Sequence, residues 1–189
     1  PILYKQNTQD DLFTLYLSIP FGEESDMLPG YAKMYLDYLG TDKMTNAQIK
    51  QELYKLACDY NIGQTKDETY FIMNGLNENL PKALSLINYV IENAKVDKKA
   101  YDAAVDLMIK ARKDSKLDQE ENFNALFDYG MYGTYSPTRN ILSEQQLKSM
   151  DPQKLLNSLK GLKNYKQTVL YYGPSTLKDI DKLLAKTFK

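Results

Sequence analysis

Segments with strand chemistry stand far apart in this chain, with helical segments in twos and threes between them, and that order narrows the folds open to it. Leu12–Ile19 is a run of apolar and aromatic residues that stops at Pro20 and Gly22, and it reads as a buried strand. A helix follows over Tyr31–Leu39, with Pro29-Gly30 before it and Gly40 after it. Thr45-Asn46-Ala47-Gln48 is a capping box that opens a second helix through Ile49, Leu53, Leu56 and Ala57. The period then changes. Tyr60 and Ile62 lie in one short strand and Thr69–Met73 in another, joined by a turn at Gln64–Asp67. Asn79, Asp97 and Asp118 each stand as an N-cap before a helical apolar pattern. Gly130–Asn140 reads as an irregular loop. Ser143-Glu144-Gln145-Gln146 repeats the capping pattern, and Asp151-Pro152 puts Pro at the first position of the next helix. Thr168–Tyr172 is a strand ended by Gly173-Pro174, and Ser175 starts a last helix that reaches Phe188. This order predicts an α+β fold: a two-layer domain with a mostly antiparallel sheet and helices packed on one face. Most of the sheet is expected from Leu12–Ile19, Thr69–Met73 and Thr168–Tyr172, with the strand near Tyr60 pairing as a hairpin with Thr69–Met73.

Composition removes several functions. The 189 residues contain no histidine. That takes away the commonest general base, the Ser-His and Cys-His nucleophilic pairs, and the usual ligands of catalytic zinc. Lys plus Arg is 24 and Asp plus Glu is 25, so the net charge is -1. A balance that even attracts neither nucleic acid nor an anionic membrane. The only arginines are Arg112 and Arg139, which further disfavours bidentate reading of phosphate or guanine. Cys58, the single cysteine, falls on an apolar helical run and reads as an inert core thiol. No apolar stretch approaches the roughly 20 residues of a membrane-spanning helix. The start, Pro1-Ile2-Leu3-Tyr4, is neither an initiator Met nor a signal peptide, so the numbering is expected to begin inside a longer chain.

Isolated motifs carry little. Ser175-Thr176-Leu177-Lys178 has the spacing of a serine acyltransferase nucleophile, but the companion motifs of such enzymes are missing and Lys186-Thr187-Phe188 fails the last of them. Gly130-Met131-Tyr132-Gly133 has GxxG spacing in aromatic rather than basic surroundings, so it reads as a turn. The acidic pairs Asp10-Asp11 and Glu23-Glu24 lack the spacing of a calcium loop. Tyrosine is abundant at 16 residues, and Tyr31, Tyr35 and Tyr38 recur on one helical face, as core or interface residues do.

Two stretches resemble the insulinase/pitrilysin family of zinc peptidases. In the first, the strand Leu12–Ile19 and Gly22 are followed by Pro29-Gly30-Tyr31-Ala32-Lys33-Met34-Tyr35-Leu36-Asp37-Tyr38-Leu39-Gly40-Thr41. Active members carry G-L-A-H-x-x-E-H and then G-T at this place. In the second, Tyr129–Leu142 is similar to the family's Y-x-G-x-x-x-x-P-x-G-R-x-I-L-G segment, and the order of elements after it also fits. The resemblance covers nearly the whole chain and rests on order and spacing together. It implies an insulinase/mitochondrial-processing-peptidase-like fold, with residues 1–189 forming a single non-catalytic domain of a longer protein.

In active members the H-x-x-E-H motif supplies two zinc ligands and a general base. Aligned on Gly30, these positions fall on Lys33, Leu36 and Asp37; aligned on Gly40-Thr41, they fall on Tyr31, Met34 and Tyr35. The family's third ligand, a Glu further along, falls near Ala111 or Arg112. No catalytic, cofactor or metal residue is therefore expected in this chain, and zinc belongs to the catalytic domain of the parent. The implied partners are other domains of the same polypeptide or a catalytic subunit, together with the parent's peptide substrate, which the paired domains enclose in a chamber. The helix Tyr31–Leu39 is expected to stand where active members keep the zinc helix, with Met34, Leu36, Leu39 and the tyrosines as packing groups and Lys33 solvated. Two rivals stand beside this reading. One is a stand-alone module that binds a peptide or protein on an exposed sheet edge. The other is an enzyme that uses carboxylates or Lys without metal.

Overall fold

A computed structural model describes residues 1–187; Phe188, the expected end of the last helix, lies outside the described residues. The chain divides into two compact units, one made of 1–96 and 153–189 and the other of 97–152.

The first unit is built on a five-stranded sheet of β1 (Ile2–Gln6), β2 (Leu12–Ile19), β3 (Cys58–Gln64), β4 (Thr69–Leu76) and β5 (Thr168–Gly173), in the order β1-β5-β2-β4-β3. All pairings are antiparallel except β1 with β5, where Ile2 aligns with Val169 and Gln6 with Gly173. The hairpin expected around Tyr60 is present, with Tyr60 opposite Met73. Its turn is Thr65–Glu68, closed by the Thr65 N–H to the Glu68 carbonyl at 2.8 Å. β1 was not expected from the sequence. It is a five-residue edge strand with a weak burial alternation, so it carries little of the period-two signal that marked β2.

Registry places Phe13, Leu15 and Leu17 of β2, Met73 of β4 and Tyr171 of β5 on one face of the sheet. They form the core with Leu80, Ala83, Leu84 and Ile87 of α3 (Leu80–Asn93), and with Ile180 and Leu184 of the last helix, Leu177–Thr187. Cys58 joins this core as a buried thiol, and burial pushes its pKa up. On the other face, Tyr16 and Tyr70 stack at 5.4 Å, and Leu170 and Tyr172 remain exposed.

Two helices connect β2 to β3: α1 (Leu28–Leu36) and α2 (Asn46–Lys55). α2 opens on the expected capping box, with Thr45 and Gln48 exchanging side-chain and backbone hydrogen bonds. Asn79 does stand before α3, but its side chain does not cap that helix; it donates to the Leu56 carbonyl at 2.9 Å instead. Likewise Thr176, not Ser175, accepts from the Asp179 N–H at the start of the last helix. Ser175 is held elsewhere, between the Asn77 side chain and the Tyr171 hydroxyl.

The second unit contains α4 (Lys98–Ser115), α5 (Gln119–Tyr132) and α6 (Glu144–Ser149), with a 3₁₀ turn at Gly133–Tyr135. Asp97, Asp118 and Ser143 cap these helices as the sequence predicts. Tyr101 is fully buried and donates to the Leu147 carbonyl at 2.6 Å, tying α4 to α6. The expected loop over Gly130–Asn140 starts later than predicted. α5 runs through Gly130, which leaves no GxxG clamp, and breaks at Gly133, whose φ of 59° favours glycine. α7 (Pro152–Gly161) then begins with the predicted Pro.

Candidate functional site

α1 stands at the place the sequence assigns to the metal helix, three residues earlier at each end than the predicted Tyr31–Leu39. Its start is set by Asp26, whose carboxylate accepts the Leu28 N–H at 2.9 Å, while Pro29 lies inside the first turn. Gln64, at the end of β3, fastens this end. It accepts the Gly30 N–H at 2.8 Å, and its amide donates to the Asp26 carbonyl and the Thr69 hydroxyl, both at 2.9 Å. The helix stops because the chain tightens: the Tyr38 and Leu39 N–H groups reach back only three residues, to Tyr35 and Leu36, at 3.0 Å. Asn46 then donates to the free Asp37 and Leu39 carbonyls at 2.7 and 3.2 Å.

In the first register, Leu36 is buried, and Lys33 forms an ion pair with Asp37 at 2.6 Å. Its ammonium also lies 5.2 Å from the centre of the Tyr60 ring. The expectation of a solvated Lys33 is corrected here: its side chain is only 13% exposed, because the stem is laid against the fold and the head is held by Asp37 one turn on. In the second register, Tyr35 is fully buried, Tyr31 is half-buried and Met34 is exposed. Met34 and Tyr38 therefore do not serve the packing expected of them, since they lie on the solvent side of the helix. Leu39 is buried as expected. In the second unit, Ala111 is exposed on α4, and Arg112 donates to the Leu142 carbonyl at 2.6 Å.

These side chains do not suit zinc. One register offers an ammonium, an alkyl group and a carboxylate already paired with that ammonium; the other offers two phenols and a thioether. Among the described residues there is no group of three or more His, Cys, Asp or Glu placed to hold a metal ion. The first unit also contains a cavity of about 460 Å³ between sheet and helices, lined by Leu17, Ile62, Phe71, Ile87 and Leu159. Its charged rim includes Glu92 and Lys163, which pair with each other at 2.9 Å, so it offers apolar volume rather than acid–base chemistry.

Sequence reasoning did not find Gln64 as the clasp of α1, nor the pairing of Lys33. The second was legible, since Lys33 and Asp37 stand four apart on a helix. The first was not, because Gln64 meets Gly30 across 34 residues.

Tyr60 gives this region a pH signature. Burial pushes its phenol well above the ordinary value near 10, and the Asp37 carboxylate adds to the shift. As pH rises past about 10, the unfolded chain loses that proton before the folded one does. The folded state then holds more protons, so stability falls with pH. Tyr60→Phe is expected to flatten that fall, measured as urea unfolding at about pH 9 and about pH 11. Tyr16, raised to about 12 by burial and by its hydrogen bond to Glu68, keeps a residual slope in the variant. A slope equal to that of the unmodified chain is the result that contradicts the expectation.

Comparison with known proteins places this architecture. Residues 2–136 match the family described as Insulinase (Peptidase family M16). The chain is similar to the mitochondrial-processing peptidase subunit beta of Neurospora crassa, at 22% identity over 128 residues, covering 67% of this chain and 26% of that protein. In structure it is similar to the peptidase M16 inactive domain from Pseudomonas fluorescens, with a TM-score of 0.78 and 17% identity over 99% of this chain and 47% of that one. It is also similar to the periplasmic protease PqqL from Escherichia coli, with a TM-score of 0.73 and 14% identity over 97% of this chain and 21% of that one. The chain thus spans about a quarter of the curated relative and about half, or less, of these structures. At such identities the structural likeness establishes the fold, an α+β insulinase-like domain. With the family match covering most of its length, the chain belongs to the insulinase family of peptidases, peptidase family M16.

Proposed function

We propose that residues 1–189 act as one non-catalytic domain of a longer insulinase-family protein, helping to enclose the chamber in which a companion domain or subunit cleaves peptides with zinc. The observation that carries this reading is the use made of α1. In this helix, which the resemblance aligns with the metal helix of active members, Lys33 is paired with Asp37, while Leu36 and Tyr35 are buried in the fold. In the first register the three positions are a paired Lys33, a buried Leu36 and the pairing Asp37; in the second, Tyr35 is buried while Met34 faces solvent, and neither register supplies a His or a Glu. The described helices include none long and apolar enough to cross a membrane. Zinc and the general base would be supplied by the companion, and this domain would contribute surface.

The purified chain is expected to hold no stoichiometric zinc and to cleave no peptide. Metal analysis after dialysis and a mixed-peptide digest test both points. About one tightly held zinc per chain, or hydrolysis abolished by a chelator, would overturn the reading.

The rival role, a module that adds a peptide to a sheet edge, draws on β1 and β3, which each have one ladder partner. Sequencing through the whole reading frame separates the two. An H-x-x-E-H domain in the same polypeptide or an adjacent subunit favours the chamber, and its absence favours the module.

A further inference from the structure

α5 is a 14-residue helix with no buried residue. Phe123, Leu126, Phe127 and Met131 lie three, four and eight positions along one face, and each is between 59% and 68% exposed. Together they leave on the order of 500 Å² of apolar surface in water, as much as the largest patch on a typical monomer. Leu117 before the helix and Tyr135 after it are more exposed still. A helix of this length gains little from its own hydrogen bonds, and most helical stability comes from packing an apolar face. Charge adds a second constraint. Asp118, Glu120, Glu121 and Asp128 accompany the stripe, and no Lys or Arg occurs from Leu117 through Gly133.

We propose that this face of α5 is the docking surface for a second domain of the same fold in the parent protein, which meets it with an apolar groove and Lys or Arg near the acidic N-terminal end of the helix. The similar Pseudomonas structure, of which this chain covers 47%, is about twice as long and so has room for a companion of this size. The patch also approaches the lower limit of interfaces between domains of one chain. The acidic rim disfavours a second copy of the same helix, since two such faces would bring like charges together. This inference rests on the reading of the chain as one domain of a longer peptidase-family protein.

Hydrogen exchange of the amides of 119–132 tests it, comparing the 189-residue chain with the full product of its reading frame. Exchange in α5 is expected to slow by about tenfold or more in the full product, and Phe127→Lys is expected to abolish that slowing. The same variant should leave the Tm of the shorter chain within about 1 °C, because its side chain is largely exposed there. If the reading frame encodes no second domain of this fold, the docking surface falls, and the proposed function falls with it when no adjacent subunit carries an H-x-x-E-H domain. If it encodes one and α5 exchanges as fast as in the shorter chain, only the docking surface falls. Strong protection already in the shorter chain would mean that α5 packs within it. A concentration-dependent dimer of that chain, dissolved by Phe127→Lys, would assign the face to a second copy. Either result overturns the proposal.

Discussion

Leu36→Ala and Leu39→Ala are each expected to destabilise the protein by about 2–5 kcal/mol, the usual cost of emptying a buried aliphatic site. Both side chains are almost entirely out of water, Leu36 in the last turn of α1 and Leu39 in the tight turns that end it. Neither site can collapse freely. Asn46 holds the Asp37 and Leu39 carbonyls, and Gln64 holds the other end of the helix. Lys33→Ala supplies the contrast. A freely solvated lysine would cost within about 0.5 kcal/mol, but this one loses its contact with Asp37 and the packing of its stem, so a cost of about 1 kcal/mol is expected. Urea unfolding of the three variants gives the order. Leucine variants as stable as the unmodified chain, beside an unfolded Lys33→Ala, would mean that α1 does not pack as described.

Gly22→Ala is expected to cost about 3 kcal/mol or more, at or beyond the upper end of ordinary overpacking. A Cβ at residue 22 would lie 2.4 Å from the Asp67 and Glu68 backbone nitrogens and 2.5 Å from the Lys66 carbonyl carbon. Backbone atoms cannot turn aside as the end of a flexible side chain can. The turn between β3 and β4 is also bound to this loop, through the Glu23 N–H to the Thr65 carbonyl at 2.9 Å and the Glu24 N–H to the Lys66 carbonyl at 3.0 Å. The variant must therefore lose those bonds or displace the hairpin. A Tm unchanged from that of the parent chain would show that the loop adapts without loss.

What was legible in the sequence was mostly local. Alternation marked β2, the capping residues at Thr45, Asp97, Asp118 and Ser143 marked helix starts, and turn chemistry marked the hairpin. The family match over 2–136 agrees with the resemblance drawn from the spacing of Gly22, Pro29-Gly30 and Gly40-Thr41. What escaped was set by distant partners. β1 is a strand because β5 lies beside it, more than 160 residues away. Asn79 and Ser175 have the chemistry of caps but find better partners in Leu56 and Asn77. α1 begins at Leu28 rather than Tyr31 because Asp26 and Gln64 satisfy its first amides. Nothing in the pattern of α5 told that its apolar stripe is left in water, since a buried helix and an unpartnered one have the same periodicity.

The place of β5 in the sheet also bears on how the protein is made. β5 separates β1 from β2, so the flanks of both early strands lack their neighbour until Thr168–Gly173 has left the ribosome. At roughly 5–20 residues per second, β2 waits several seconds or more with one flank unpaired. Such an open, apolar strand is the sort of surface to which other nascent chains add. Premature termination before β5 is therefore expected to yield a product that chaperones retain or proteases clear.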